Sequence, residues 1–205
     1  MHEATAISTL SSLEKFLEVD SSHHFKELTL FQQVVGALQY LALTHPNNTM
    51  VVNKADQFMH TPSVNHWQAV KRILRYLKGT ADHGMVLHSS HSNNLIAFSY
   101  ANWGGDKADH KSTLAYAVFH GSNLISWCSK KQKTVARSNT DSEYRAFALA
   151  TSEVRQKHLL VSYIPTADQL ADVLTKPLSK QRFLHLKDKL LVVPPIHLWG
   201  NIKER

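Results

Sequence analysis

A single cysteine, Cys128, stands among the 205 residues, so no disulfide closes within the chain and an intracellular setting, cytoplasmic or nuclear, is expected. No stretch approaches the roughly 20 consecutive apolar residues of a membrane-spanning helix. Val34 to Leu43 and Leu190 to Pro195 are too short or interrupted, and no membrane partner is expected. The opening MHEATAIS has neither the basic start nor the apolar core of a secretory signal. Glycine (7) and proline (6) are too sparse for a fibrous or low-complexity chain. Acidic side chains are the scarcer charge, 16 against 23 lysines and arginines; the net +7 favours a polyanionic partner, nucleic acid first, and no small-molecule substrate. Fourteen histidines invite a metal reading, but His23-His24, His88 and His91 lack cysteine partners and HExxH spacing, which favours surface histidines.

What is present reads as alternating helix and strand signals. Residues 1 to 27 show little period and are expected to be a weakly ordered lead-in. Leu30, Val34, Val35, Leu38 and Leu41 then recur at helical spacing, and Pro46 ends that run. A second apolar run, Met50 to Met59, leads to Ser63, a helix cap. Trp67, Val70, Ile73, Leu74 and Leu77 form one stripe, Lys71, Arg72, Arg75 and Lys78 lie off it, and Gly79 supplies a stop. Beyond Gly84 the period shortens to that of strands. Met85 and Leu87, Leu95 to Trp103, Leu114 to Phe119 and Leu124 to Ser129 are expected as strands, with a hairpin at His120-Gly121-Ser122-Asn123. A helix follows from about Asn139 to Lys157, then a strand from Leu159 to Ile164, and two short helices in ADQLADVLTK and SKQRFLHLKDKLLV. Trp67, Trp103 and Trp127 are patterned for burial. Residues 193–205 read as a tail.

Four stretches carry a resemblance: YLALTHP, HWQAVKRILRYLKGT, NLISWCSKKQKTVARSNTDSEYRA and PTADQLADVLTKPLSKQRF. In this order they resemble the Pol polyprotein of copia-type LTR retrotransposons, from the C-terminal end of its reverse transcriptase into its ribonuclease H domain, over roughly residues 28 to 192. The resemblance implies residues 28–84 as a helical reverse-transcriptase segment and 85–192 as a truncated ribonuclease H-like domain. The fold class expected is α/β (α+β): a truncated ribonuclease H-like mixed sheet of three antiparallel strands plus one parallel strand.

The implied chemistry is hydrolysis of the RNA strand of an RNA/DNA hybrid by Mg²⁺ ions about 3.5 to 4 Å apart, held by clustered carboxylates. The family's first-strand motif resembles F-S-D-A-D-W-A-G, where this chain reads Phe98-Ser99-Tyr100-Ala101-Asn102-Trp103-Gly104-Gly105. Tyr100 thus replaces a catalytic acid and Asn102 its acidic neighbour; a phenol is uncharged at neutral pH, bulky and a poor Mg²⁺ ligand. The catalytic Glu of S-S-T-E-A-E-Y matches Glu143, and the last acid matches Asp172. The remaining acid falls in a stretch that the family has between Thr151-Ser152-Glu153-Val154 and Val161-Ser162-Tyr163-Ile164-Pro165, which this chain joins directly.

Glu143 and Asp172 are therefore either a residual catalytic and metal-binding pair or two acids left by a decayed site, and the second reading is preferred. Asp106 and Asp109 could substitute as ligands, but a charged loop after Gly104-Gly105 is more simply a solvated one. Lys130, Lys131, Lys133 and Arg137 are the candidate nucleic-acid contacts. The expectation is an inactive fragment with no cofactor of its own. Two alternatives are a non-catalytic module that binds hybrid or duplex weakly and without sequence preference, and an active ribonuclease H. The Leu159 to Ile164 strand is expected to fill the slot beside Leu95 to Trp103, giving a four-stranded sheet in which Asp172 need not approach Glu143.

Overall fold

Ser63 fixes the start of a helix. Its hydroxyl accepts the His66 amide at 3.2 Å while its own amide donates to His66 Nδ1 at 2.9 Å, a reciprocal cap for donors that a helix start leaves open. The computed structural model describes residues 5–10, 23–89, 92–154 and 160–194. Three helices come first, α1 (Leu28–Leu41), α2 (Thr49–Asp56) and α3 (Val64–Lys78). α1 buries Phe31, Val35 and Leu38, and α3 buries Ala69, Val70, Ile73 and Tyr76, the stripes their spacing predicts. Gly79 ends α3 in the right-handed region, φ −82°, so its use is space: a Cβ there would meet the Ala6 Cβ at 3.0 Å.

Ala6 is close because residues 5–10 of the lead-in lie against α3. The Ile7 amide donates to the Arg75 carbonyl at 3.4 Å, Arg75 Nε donates to the Thr5 carbonyl at 2.7 Å, and Leu10 is buried. Arg75, which lies off the apolar stripe, thus holds the N-terminal stretch. Residues 11–22 lie outside the described ones.

The sheet is a meander. β2 (Leu95–Asn102) pairs antiparallel with β3 (Thr113–His120), and β3 with β4 (Asn123–Lys131). The β3–β4 turn is Gly121-Ser122, with φ +58° at Gly121, where a type II′ turn calls for glycine. Alternation then sorts β3 between two faces. Leu114, Tyr116 and Val118 meet α4 (Asn139–Val154) through Ala146, Ala150 and Val154. Ala115, Ala117 and Phe119 join the main core with Phe31, Ile73, Tyr76, Leu170 and Leu174.

Several expectations change. The helix expected in ADQLADVLTK is two 3₁₀ turns, Thr166–Asp168 and Leu170–Leu174, the second fully buried. α5 (Lys180–Lys189) follows as expected. β1 (Gly84–Met85) lies outside the main sheet and pairs with β5 (Val192–Val193). Trp103 is 52% exposed, its indole N–H donating to the Ala136 carbonyl, whereas Trp67 and Trp127 do pack on the core.

Among the described residues the expected parallel strand is not found, and the main sheet has three strands where four were expected. Leu159 lies outside the described residues; residues 160–164 pair with nothing in the sheet, and Leu160, Val161 and Tyr163 are exposed. α4 packs on one face of the sheet and Leu170–Leu174 on the other. Residues 160–164 line a groove beside β2 without joining the sheet. Among the described residues no strand occupies the slot beside β2.

Candidate functional site

β2, α4, the Leu170–Leu174 turn and the start of α5 converge on one cluster beside that slot. Glu143 projects from α4 and its Oε2 accepts the Ala101 amide of β2 at 3.2 Å. Asp172, its side chain 1% exposed, pairs with Lys176 Nζ at 3.0 Å and Arg182 Nη2 at 2.7 Å. Arg182 also donates to the Thr166 carbonyl. Lys176 Nζ lies 3.3 Å from the Tyr100 hydroxyl and 4.5 Å over its ring. Gln169 Nε2 donates to the Ser99 carbonyl at 3.2 Å. Glu143 and Asp172 thus come together after all, lining one groove of about 950 Å³.

The electrostatics follow from this packing. Burial raises the Glu143 pKa above the usual carboxylate range and the Asp172 charge adds to it, while the Ala101 N–H and Lys176 pull it back only in part. Burial works against the Lys176 charge, but the bonds to Asp172 and Tyr100 outweigh it and raise its pKa. The cluster therefore carries its own cations against its acids. It ties β2, α4 and the C-terminal turns together, and it offers one half-buried carboxylate, on Glu143, not already held in an ion pair.

The other named residues divide. Asn102 and Asp106 line a separate small cleft. Asp106 and Asp109 hold Lys131 at 2.7 and 3.0 Å, bonds that outweigh the burial of its ammonium and raise its pKa. Lys131 is thus drawn away from the proposed basic contacts, whereas Lys130, Lys133 and Arg137 are exposed along the link from β4 to α4. Among the described residues no group of three or more His, Cys, Asp or Glu could hold a metal ion. His91 lies outside the described residues. Sequence reading missed Lys176, Arg182 and Gln169. Lys176 sits four residues beyond Asp172, a spacing that signals a pair on helical turns; Arg182 carried no such signal.

Comparison with known proteins agrees with the motifs. The chain is 36% identical to the retrovirus-related Pol polyprotein from transposon RE2 of Arabidopsis thaliana over 251 aligned positions, covering 95% of this chain and 17% of that protein. It is 42% identical to an uncharacterized mitochondrial protein of the same plant over 67% of this chain and 57% of that protein. It is also 40% identical to the secreted RxLR effector protein 161 of Plasmopara viticola, over 60% of this chain and 87% of that protein. No family model and no solved structure matches. The chain belongs to the retrovirus-related Pol polyproteins of transposons, the copia-type family its motifs resemble. It spans about a sixth of the RE2 polyprotein's length. The 251 aligned positions exceed the 205 residues here, so the matched region of RE2 contains residues that this chain lacks. Among the described residues no helix is long and apolar enough to cross a membrane.

Proposed function

We propose that this chain is a non-cleaving remnant of the reverse transcriptase/ribonuclease H region of a transposon Pol polyprotein, acting where nucleic acid is found, in cytoplasm or nucleus. One observation carries the reading: the Asp172 carboxylate is held by Lys176 and Arg182, with Tyr100 beside Lys176. Two Mg²⁺ ions need several free hard oxygen ligands. The donors present do not fit them, since Tyr100 is a phenol, Asp172 is internally paired and Glu143 stands alone. The test is incubation of the full chain with an RNA/DNA hybrid in Mg²⁺ or Mn²⁺, alongside Mn²⁺ titration read by electron paramagnetic resonance. No product and no stoichiometric Mn²⁺ uptake are expected. Cleavage that disappears in Glu143→Gln would sink the proposal.

A second reading has its own observation. Lys130 and Lys133 are exposed and, among the described residues, make no ion pair, which suits weak contact with phosphates of a hybrid or duplex. Such binding falls steeply with salt and weakens on reversal of Lys130 and Lys133 to Glu. Affinity indifferent to both would end that reading.

A further inference from the structure

We infer that Trp103 is a stacking platform for one base of a single-stranded nucleic acid, with Lys130, Lys133 and Arg137 taking the phosphates on either side. The inference rests on the reading of Lys130 and Lys133 as phosphate contacts, and adds to it a base contact and a preference for single strands.

The sheet sets the place of the indole. Ala101 of β2 and Leu114 of β3 pack with Ala146 of α4, and the register puts Lys130 of β4 opposite Leu114. The row Ala101, Leu114, Lys130 therefore lies on the α4 face and spans about 10 Å across three strands. β2 and β4 both run antiparallel to β3, so Trp103, directly after β2, lies at the same end of the sheet as Lys130. The link from β4 to α4 passes that end. The Gln132 amide donates to the Ser112 carbonyl at 2.8 Å beside the start of β3, and the Ala136 carbonyl accepts the Trp103 indole N–H at 3.2 Å. Lys133, three residues before Ala136, is at most about 11 Å from it along the chain, and Arg137 follows it directly.

Two features single this tryptophan out. Trp67 and Trp127 pack on the core, whereas Trp103 stays more than half exposed although its one polar atom is already bonded, so aromatic surface is held in place facing solvent. The second feature is charge. From residue 130 to 142 the chain has Lys130, Lys131, Lys133 and Arg137 against one acid, Asp141. That acid is paired with Arg145 at 2.9 Å and accepts the Arg137 amide at 3.0 Å, and Lys131 is turned to Asp106 and Asp109. Lys130, Lys133 and Arg137 are left exposed near the indole. A polyanion whose repeating unit carries a flat aromatic face uses both features at once. A duplex keeps its base faces stacked inside, so a single strand is the form that offers one to an indole.

The test is fluorescence anisotropy of labelled oligothymidylate, and of a hairpin duplex of the same length, titrated with the full chain in about 0.1 M salt. The single strand should bind more tightly. Trp103→Leu should weaken that binding roughly fivefold or more and leave the duplex affinity unchanged, while Trp103→Phe, which keeps a ring, should retain most of it. In the chain labelled with 5-fluorotryptophan, oligothymidylate should move the fluorine resonance that is missing from Trp103→Phe. Binding weakened by Lys130→Glu with Lys133→Glu but indifferent to Trp103→Leu would overturn the base contact and leave the phosphate contacts standing. Binding of neither oligonucleotide would end both. If Trp103→Leu fails to fold, the fluorine resonance decides alone, and an unmoved one overturns the inference.

Discussion

Glu143 and Asp172 occupy one cluster yet stand in opposite electrostatic positions. Asp172 is the buried partner of two cations, and replacing it with Asn leaves Lys176 and Arg182 uncompensated. Breaking such a pair typically costs about 3 kcal/mol, and Asp172→Asn should lower the urea midpoint accordingly at unchanged m-value. Glu143 has its pKa raised, chiefly by burial, so its ionisation disfavours the fold and stability falls as pH rises through its folded value. Glu143→Gln keeps an acceptor for the Ala101 amide without the charge. Its melting temperature at pH 7 should equal or exceed the parent's by roughly 2 °C, and a large drop would show that the charge itself is needed. Both acids were legible in the sequence through motifs. Their roles were not, because Arg182 reaches Asp172 through the packing of α5.

A second residue cluster predicts the response to acid. Lys187, nearly buried on α5, places its Nζ 2.6 Å from His83 Nδ1 and 5.9 Å over the Tyr76 ring. The imidazole must be neutral to accept from the ammonium. Burial, then the Lys187 charge, lower the His83 pKa, with Asp82 and Asp188 opposing; burial also lowers that of nearby His45. Stability from these neutral histidines is full above about pH 6.5, the unfolded value, and is lost as pH falls through their lower folded values. The melting temperature should therefore fall as the pH is lowered below about 6.5, and less so in His83→Asn.

At the scale of elements, local rules were readable where one element's own residues decide the outcome. Ser63 capped α3 as its position predicted, and Ser63→Ala should cost about 1 kcal/mol in chemical denaturation. The period-two pattern of β2 and β3 and the glycine of the β3–β4 turn likewise gave three strands in order. Leu159 to Ile164 was misread because its apolar, β-branched composition suits a strand but does not say what lies at each end. Residues 160–164 instead line the groove beside β2, and Leu160, Val161 and Tyr163 are exposed. The buried Leu170–Leu174 stretch reads as helix from its composition, although Gln169 caps it and Thr175 ends it after five residues.

At the scale of the whole molecule, the division suggested near residue 84 does not divide the core. Phe31, Val35, Ile73 and Tyr76 share one apolar cluster with Phe119, Leu174, Phe183 and Leu190, and the Tyr76 and Phe183 rings meet edge to face at 5.9 Å. Residues 85–194 alone should therefore lack a cooperative thermal transition, whereas the full chain should melt in one, followed by near-ultraviolet circular dichroism. A sharp transition for the shorter piece would show that the sheet and its C-terminal turns suffice.

The pairing of Gly84–Met85 with Val192–Val193 sets an order of events during synthesis. The first three helices leave the ribosome with Phe31 and Tyr76 lacking their cover, because Phe183 to Leu190 lie far later in the chain. Until those residues emerge, the nascent chain presents a long-lived apolar surface to chaperones.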